Sequence, residues 1–317
     1  MSEISIPNVL APARLRQVRK LRELKGVLYD KKCLRHLDLN LPAYEIYRDC
    51  CDNGARDLLR KHSLRYDVTV IPPLLLGEEY VKTLGHYHLP LGETCSHPEI
   101  LEVLEGEAVF LVEKKCGRGA VDVSLLTAKE GEKILVPPDR GHVIINASSG
   151  RLVVGHLISR DCVQTYDPYL ERGGATFYFL TGGRLVRNPN CSSTSGARVL
   201  RAETPPFLET GLSLMHTFLN DPNQLALLND PSTCAKWGVL ESAVTGVVLS
   251  SGQGSEPRPV TYYLPKDMIP IEGSQSALLD YALRLSASQN ALMFLNVFLA
   301  TYAALMFLTL ISMTFCT

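Results

Sequence analysis

Between Pro42 and Asn190 the chain returns again and again to one local pattern. A run of four to seven residues rich in β-branched and aromatic side chains is closed by a turn. The runs are Ala43–Tyr47, Tyr66–Pro72, Ile100–Leu104, Ala108–Val112, Lys133–Val136, Val143–Asn146, Leu152–Ile158 and Thr176–Leu180. Gly-Glu, Gly-Gly and Pro-Pro steps separate them. Strands this short and this closely spaced cannot each bury a face alone. They predict an antiparallel sandwich or barrel.

The flanks read differently. Residues 10–30 are basic, with Leu15, Val18, Leu21, Leu24 and Leu28 spaced as on a short amphipathic helix or covering arm. Residues 190–206 are small and polar and read as a linker, and Leu208–Leu228 has helical apolar spacing. The expected division is a barrel domain over 1–190, a linker and extension over 191–285, and a hydrophobic segment over 286–317. No charge follows Arg284, and 20 of the 25 residues of Ala291–Phe315 are apolar, enough for a helix to span a bilayer. This tail is expected to tether the protein to a membrane; a buried terminal helix is the plainer reading. Residues 1–26 carry seven charges between Arg14 and Lys25 and no apolar run of signal-peptide length, so a cytoplasmic protein is expected.

With 32 Lys and Arg against 33 Asp and Glu, the net charge is −1, which speaks against nucleic acid as a partner. A hydrophobic share of 46% suffices for a sizeable core. Nine cysteines without a C-x-x-C pair argue against a zinc ribbon or a secreted disulfide framework and fit a reducing compartment.

One segment carries chemistry. Gly85-His86-Tyr87-His88 sets two imidazoles two apart, on one face of a strand and within reach of one ion. Two carboxylates follow, Glu93 and Glu99, and only Glu99 has a glycine seven residues on, at Gly106. His97 is a rival ligand in the same stretch. Gly131, the turn Pro137-Pro138-Asp139-Arg140-Gly141, His142 and Asn146 then supply a third imidazole from a returning strand. His36, His62, His156 and His216 fit no such spacing and read as exposed or ordinary packed histidines.

Together these stretches resemble the two motifs of the cupins, antiparallel β barrels that hold a metal in their mouth with three His and one Glu. The resemblance implies a mainly β fold: a cupin (double-stranded β-helix, or jelly-roll) barrel with an N-terminal arm and a mixed, partly helical C-terminal extension. The implied ligands are His86, His88, Glu99 and His142. Residues 89–98 form an insertion, and Asp139 stands where a glycine is usual. Thr83-Leu84-Gly85-His86-Tyr87-His88 further resembles the T-x-G-H-x-H signature of the cupin-type glucose-6-phosphate isomerases. Ala43–Tyr47, Thr69 fourteen residues before Thr83, and Val186-Arg187-Asn188-Pro189 agree with it.

That resemblance implies an aldose–ketose isomerase acting on glucose 6-phosphate and fructose 6-phosphate. One divalent ion per subunit is implied, iron first, with Mn, Ni, Co or Zn also suited to mixed N/O ligation. Glu99 is the implied base. Thr69, Thr83 and the Gly85 N–H would hold the phosphate, Tyr44 would line the sugar, and a homodimer is expected. Three positions depart from the family: Leu101 and Ile158 stand for tyrosines, and Gln164 for a histidine. Two other readings stay in view: another cupin metalloenzyme such as a dioxygenase, since the same three His and one Glu serve there too, and a non-catalytic sugar-phosphate-binding cupin, which the departures and the apolar tail would suit.

Overall fold

The computed structural model of the chain describes residues 15–90, 95–116, 120–191, 197–201, 204–205, 207–230 and 261–263. The tail over 291–315 lies outside them, as does most of the 231–285 extension. Among the described residues no helix is long and apolar enough to cross a membrane.

The strands in chain order are β1 (Leu15–Lys20), β2 (Pro42–Arg48), β3 (Leu64–Ile71), β4 (Leu75–Leu76), β5 (Glu79–Tyr80) and β6 (Tyr87–His88). They continue with β7 (Glu99–Glu105), β8 (Glu107–Cys116), β9 (Ala120–Lys129), β10 (Lys133–Val136), β11 (Arg140–Asn146) and β12 (Leu152–Ser159). The last are β13 (Gln164–Thr165), β14 (Phe177–Leu180), β15 (Arg184–Arg187), β16 (Ala197–Arg201) and β17 (Thr261–Tyr263). Short helices α1 (Leu21–Leu24), α2 (Asn53–Lys61), α3 (Asp167–Arg172) and α4 (Leu214–Asn220) cover edges and faces. All eight runs read from the sequence fall in strands.

Two sheets make the barrel, one ordered β1-β2-β3-β12-β7-β10 and the other β11-β8-β9-β16. Apart from β16 on β9, every pairing in them is antiparallel. The fold is the expected mainly β cupin barrel. Its core joins Ile46, Val103 and Val154 of the first sheet to Phe110, Leu125 and Val143 of the second. The first sheet is also buried on its outer face, where Tyr47, Val68, Ile100 and Leu157 pack against Leu59 of α2 and against Leu214, Phe218, Leu225 and Leu228. Burial on both faces explains why β12, Leu-Val-Val-Gly-His-Leu-Ile-Ser, is a nearly unbroken apolar run without polar alternation.

Of the two readings of the basic segment, the covering arm holds: Leu15–Lys20 is a strand that pairs with β2 along its length, Arg16 clasps Glu45 with two bonds of 2.9 and 2.7 Å, and helix α1 follows. Sheet pairing overrides its helical spacing. Phe207–Asp230 packs on the barrel itself. Among the described residues Cys33, Cys50, Cys51, Cys162 and Cys191 are free thiols and Cys95 is disulfide-bonded.

Candidate metal centre and sugar-phosphate pocket

The H-x-H segment runs alongside β11. His86 and His142 exchange backbone hydrogen bonds of 3.2 and 3.0 Å, and Thr83 N–H donates to the Ile144 carbonyl at 2.8 Å. This close approach is why position 85 is glycine. Its φ is +82°, and a Cβ there would lie 2.8 Å from Val143 Cγ2. Asp139, where a glycine is usual, has φ +60°. It offsets that strain through Ser96: the Ser96 N–H donates to Asp139 Oδ1 at 2.9 Å, and the Asp139 N–H to Ser96 Oγ at 2.7 Å.

Glu99 opens β7 and points into the barrel, 1% exposed. Three imidazoles gather on it from three strands. His88 Nε2 lies 3.3 Å and His142 Nε2 3.5 Å from Oε2, and His156 Nδ1 lies 2.7 Å from Oε1. The His86 ring stands 4.4 Å from that of His142 and 5.2 Å from that of His88. His86, Glu99 and His142 each offer one ligand atom within 4.8 Å of the others; His88 falls outside that group of three while touching Glu99.

A cation fits this cluster. Glu99 Oε2, His88 Nε2 and His142 Nε2 are buried without a hydrogen-bond partner, which a purely structural network avoids. His88 donates its other nitrogen, Nδ1, to the His97 carbonyl at 2.8 Å, leaving Nε2 turned to Glu99. The His86 ring instead accepts from the Gln164 amide at 3.0 Å, which in turn accepts from Tyr166 at 3.1 Å. Ligation through His86 Nε2 requires Gln164 to give way.

The imidazoles differ in their electrostatics. Burial drives His86 well below the usual imidazole range, with His142 and His88 adding to it, and drives His142 down to about 4, so both are neutral at pH 7. For His88 burial is outweighed by Cys162 and Glu99, and its pKa rises to about 10, so a cation at Nε2 would have to displace that proton. Burial would raise Glu99. The hydrogen bonds from His156 and His88 prevail and hold it well below the carboxylate range.

Beside the cluster a cavity is lined by Tyr44, Thr69, Thr83, Gly85, His86 and His142, six of the eight residues singled out in the sequence. Glu99 and His88 lie behind it. The Thr83 hydroxyl accepts from the Ile144 N–H at 3.0 Å, and the Tyr44 hydroxyl from the Leu84 N–H at 3.3 Å; burial raises the pKa of Tyr44. Arg48, Asp67, Gln164, Tyr166 and His156 complete much of the wall.

His156 corrects the sequence reading. It is neither exposed nor ordinary: it binds Glu99 and faces the cavity. No spacing could reveal it, because it lies 57 residues from Glu99 and meets it only through the β12–β7 pairing. The rival ligand His97 turns away from Glu99, and its Nδ1 bonds the Leu228 carbonyl at 3.0 Å. Leu101 and Ile158 are core residues outside the cavity wall, whereas Gln164 touches His86.

The family profile of glucose-6-phosphate isomerase matches residues 18–194, more than half of the chain. A protein of Thermococcus gammatolerans named glucose-6-phosphate isomerase is 25% identical over 193 residues, 60% of this chain and 95% of that one. One of the same name from Pyrococcus furiosus is 23% identical over 178 residues, 55% of this chain and 87% of its own. Among solved structures, oxalate decarboxylase from Bacillus subtilis aligns with a TM-score of 0.29 and 16% identity, covering 42% of this chain and 30% of that one.

Proposed function

The chain belongs to the glucose-6-phosphate isomerase family, and from that premise we propose that it interconverts glucose 6-phosphate and fructose 6-phosphate with one divalent ion per subunit. The carrying observation is a buried carboxylate surrounded by imidazoles whose inward atoms lack partners, beside a cavity lined with hydroxyls. His86, His88, Glu99 and His142 would hold the ion, iron by preference. When bound, it supplies a Lewis acid to the two oxygens that exchange carbonyl character.

The chain's own residues do the rest. Glu99, behind the cavity wall, is assigned the proton transfer between C1 and C2, and His156, which faces the cavity, holds its Oε1 in place. Thr69, Thr83 and the Gly85 N–H bind the phosphate, and Tyr44 closes the sugar's flank. Anchoring the phosphate holds C1 and C2 at the carboxylate, so that remote binding energy serves the proton transfer. A coupled assay converting fructose 6-phosphate to glucose 6-phosphate, run with and without a chelator, tests the reading. Turnover that the chelator abolishes is expected. Absence of turnover in the metal-replete protein would overturn it.

A further inference from the structure

The segment Phe207–Asp230 has no part in the reaction described above, yet it is bound tightly to the barrel. Leu208, Leu214, Phe218, Leu225 and Leu228 are buried on the outer face of the first sheet. Three polar contacts fix its position. The Leu214 N–H donates to Glu102 Oε2 at 2.8 Å, Asn229 Nδ2 to the His62 carbonyl at 2.6 Å, and the His97 ring to the Leu228 carbonyl at 3.0 Å.

The third contact leads into the metal centre. A carbonyl only accepts, so the Leu228 contact puts the ring proton of His97 on Nδ1. By the same rule the His97 carbonyl puts a proton on Nδ1 of His88. His88 Nε2 is then the atom turned to Glu99, 3.3 Å away. His97 is itself buried, at 2% exposure, and Ser96 beside it is tied to Asp139 in the turn before His142. The loop backbone that orients His88 is thus anchored on one side by that turn and on the other by residue 228, 131 positions away in sequence.

We propose that His97 is a positioning residue for the metal centre, through which the docked segment Phe207–Asp230 orients His88. The inference rests on the metal-site reading above. Losing the partner of an imidazole ligand's second nitrogen typically changes metal affinity by roughly 10–100-fold; here that partner is the His97 backbone carbonyl, which a side-chain substitution displaces rather than removes, so a smaller effect is expected.

The test uses the full chain. His97→Phe keeps a ring of similar size and deletes the Nδ1 donor; His97→Asn places an amide N–H near the same point. Divalent-ion affinity, read by competition with a chelator, is expected to weaken several-fold, up to about 10-fold, in His97→Phe. It should recover towards wild type in His97→Asn. A folded His97→Phe protein with wild-type affinity would overturn the proposal. If His97→Phe does not fold, Phe218→Ala, which loosens the docked segment, is compared with Phe179→Ala in the other core cluster. A larger loss of affinity in Phe218→Ala supports the proposal, and equal losses overturn it. Nitrogen-15 spectra of the imidazoles provide a readout without metal. The His88 Nδ1–H should shift and exchange faster in His97→Phe, as its carbonyl acceptor is displaced, even if the wild-type protein binds no ion; a signal identical to wild type overturns the proposal, whereas an ion-free wild type overturns only the metal-site reading.

Discussion

Two buried glutamates, served by consecutive residues of one segment, have opposite fates. Tyr87 donates to Glu113 at 3.1 Å, while His88, the next residue, faces Glu99. Glu113 is fully satisfied: Arg172 bonds Oε1 alongside Tyr87, and the Thr176 N–H and hydroxyl reach Oε2 at 3.0 and 2.8 Å. Glu99, equally buried, keeps Oε2 without a hydrogen bond among imidazole nitrogens that also lack one. A network with every group paired holds a fold together. One that leaves charge-bearing atoms unpaired in low dielectric stores the means to bind something. Substitution can break this contrast in stages.

The largest effect is expected at the unsatisfied carboxylate. Glu99→Gln should lower kcat/KM by about 10²–10⁴-fold, the usual worth of a positioned acid–base group. The unfolding midpoint of the metal-free protein should fall less than in Glu113→Gln, because Oε1 alone of the Glu99 oxygens has a hydrogen bond to weaken. Unchanged turnover would remove Glu99 from the chemistry. Glu113→Gln should do the reverse, because it leaves the half-buried Arg172 facing an amide. Denaturant unfolding is expected to show a loss of about 3–5 kcal/mol. Isomerase activity per folded molecule should stay within a few-fold of wild type. A Glu113→Gln protein of wild-type stability would show that full pairing carries no structural weight here.

Smaller effects sharpen the boundary between the two regions. His156→Ala frees Glu99 Oε1 and should cost about 1–3 kcal/mol of transition-state stabilisation, read mainly in kcat. An effect confined to KM would make His156 a sugar contact only. Thr69→Val is expected to raise KM for fructose 6-phosphate by an amount equivalent to about 1.5–3 kcal/mol with metal content unchanged; a fall in metal content would place Thr69 in the wrong subsite.

The smallest effect concerns pH. Glu45 is another paired carboxylate. Its burial would raise its pKa, but the bonds from Arg16 and Tyr47 lower it below 4.5. A depressed folded-state value stabilises above the unfolded-state pKa. That contribution is lost as pH falls through the lowered value. Glu45→Gln should therefore flatten the acid side of the stability profile and leave its neutral side lower. Parallel acid limbs in the two proteins would contradict this.

What the sequence disclosed divides along the same line. Local patterns were legible because they are set locally: the i, i+2 spacing of His86 and His88, the glycine at 85, and the eight strand runs. Partners contributed by the fold were not. His156 and His97 meet Glu99 and Leu228 across 57 and 131 residues, and no periodicity records such meetings. The strand at Leu15–Lys20 was hidden because its basic residues suit a helix, and only the Glu45 carboxylate and the free edge of β2 decide otherwise. The helix α2 escaped notice in the short, polar stretch Asn53–Lys61, which is capped by Asp52 accepting from the Ala55 N–H at 2.8 Å.

Metal content tests the contrast between the two glutamates most directly. Elemental analysis of purified wild-type protein, His142→Ala and Glu113→Gln compares an inward-facing imidazole with the satisfied network. The account predicts one divalent ion per subunit in wild type and in the folded fraction of Glu113→Gln, and a substoichiometric content in His142→Ala, with isomerase activity following the ion. Full occupancy in His142→Ala, or an active wild-type protein free of metal, would contradict it.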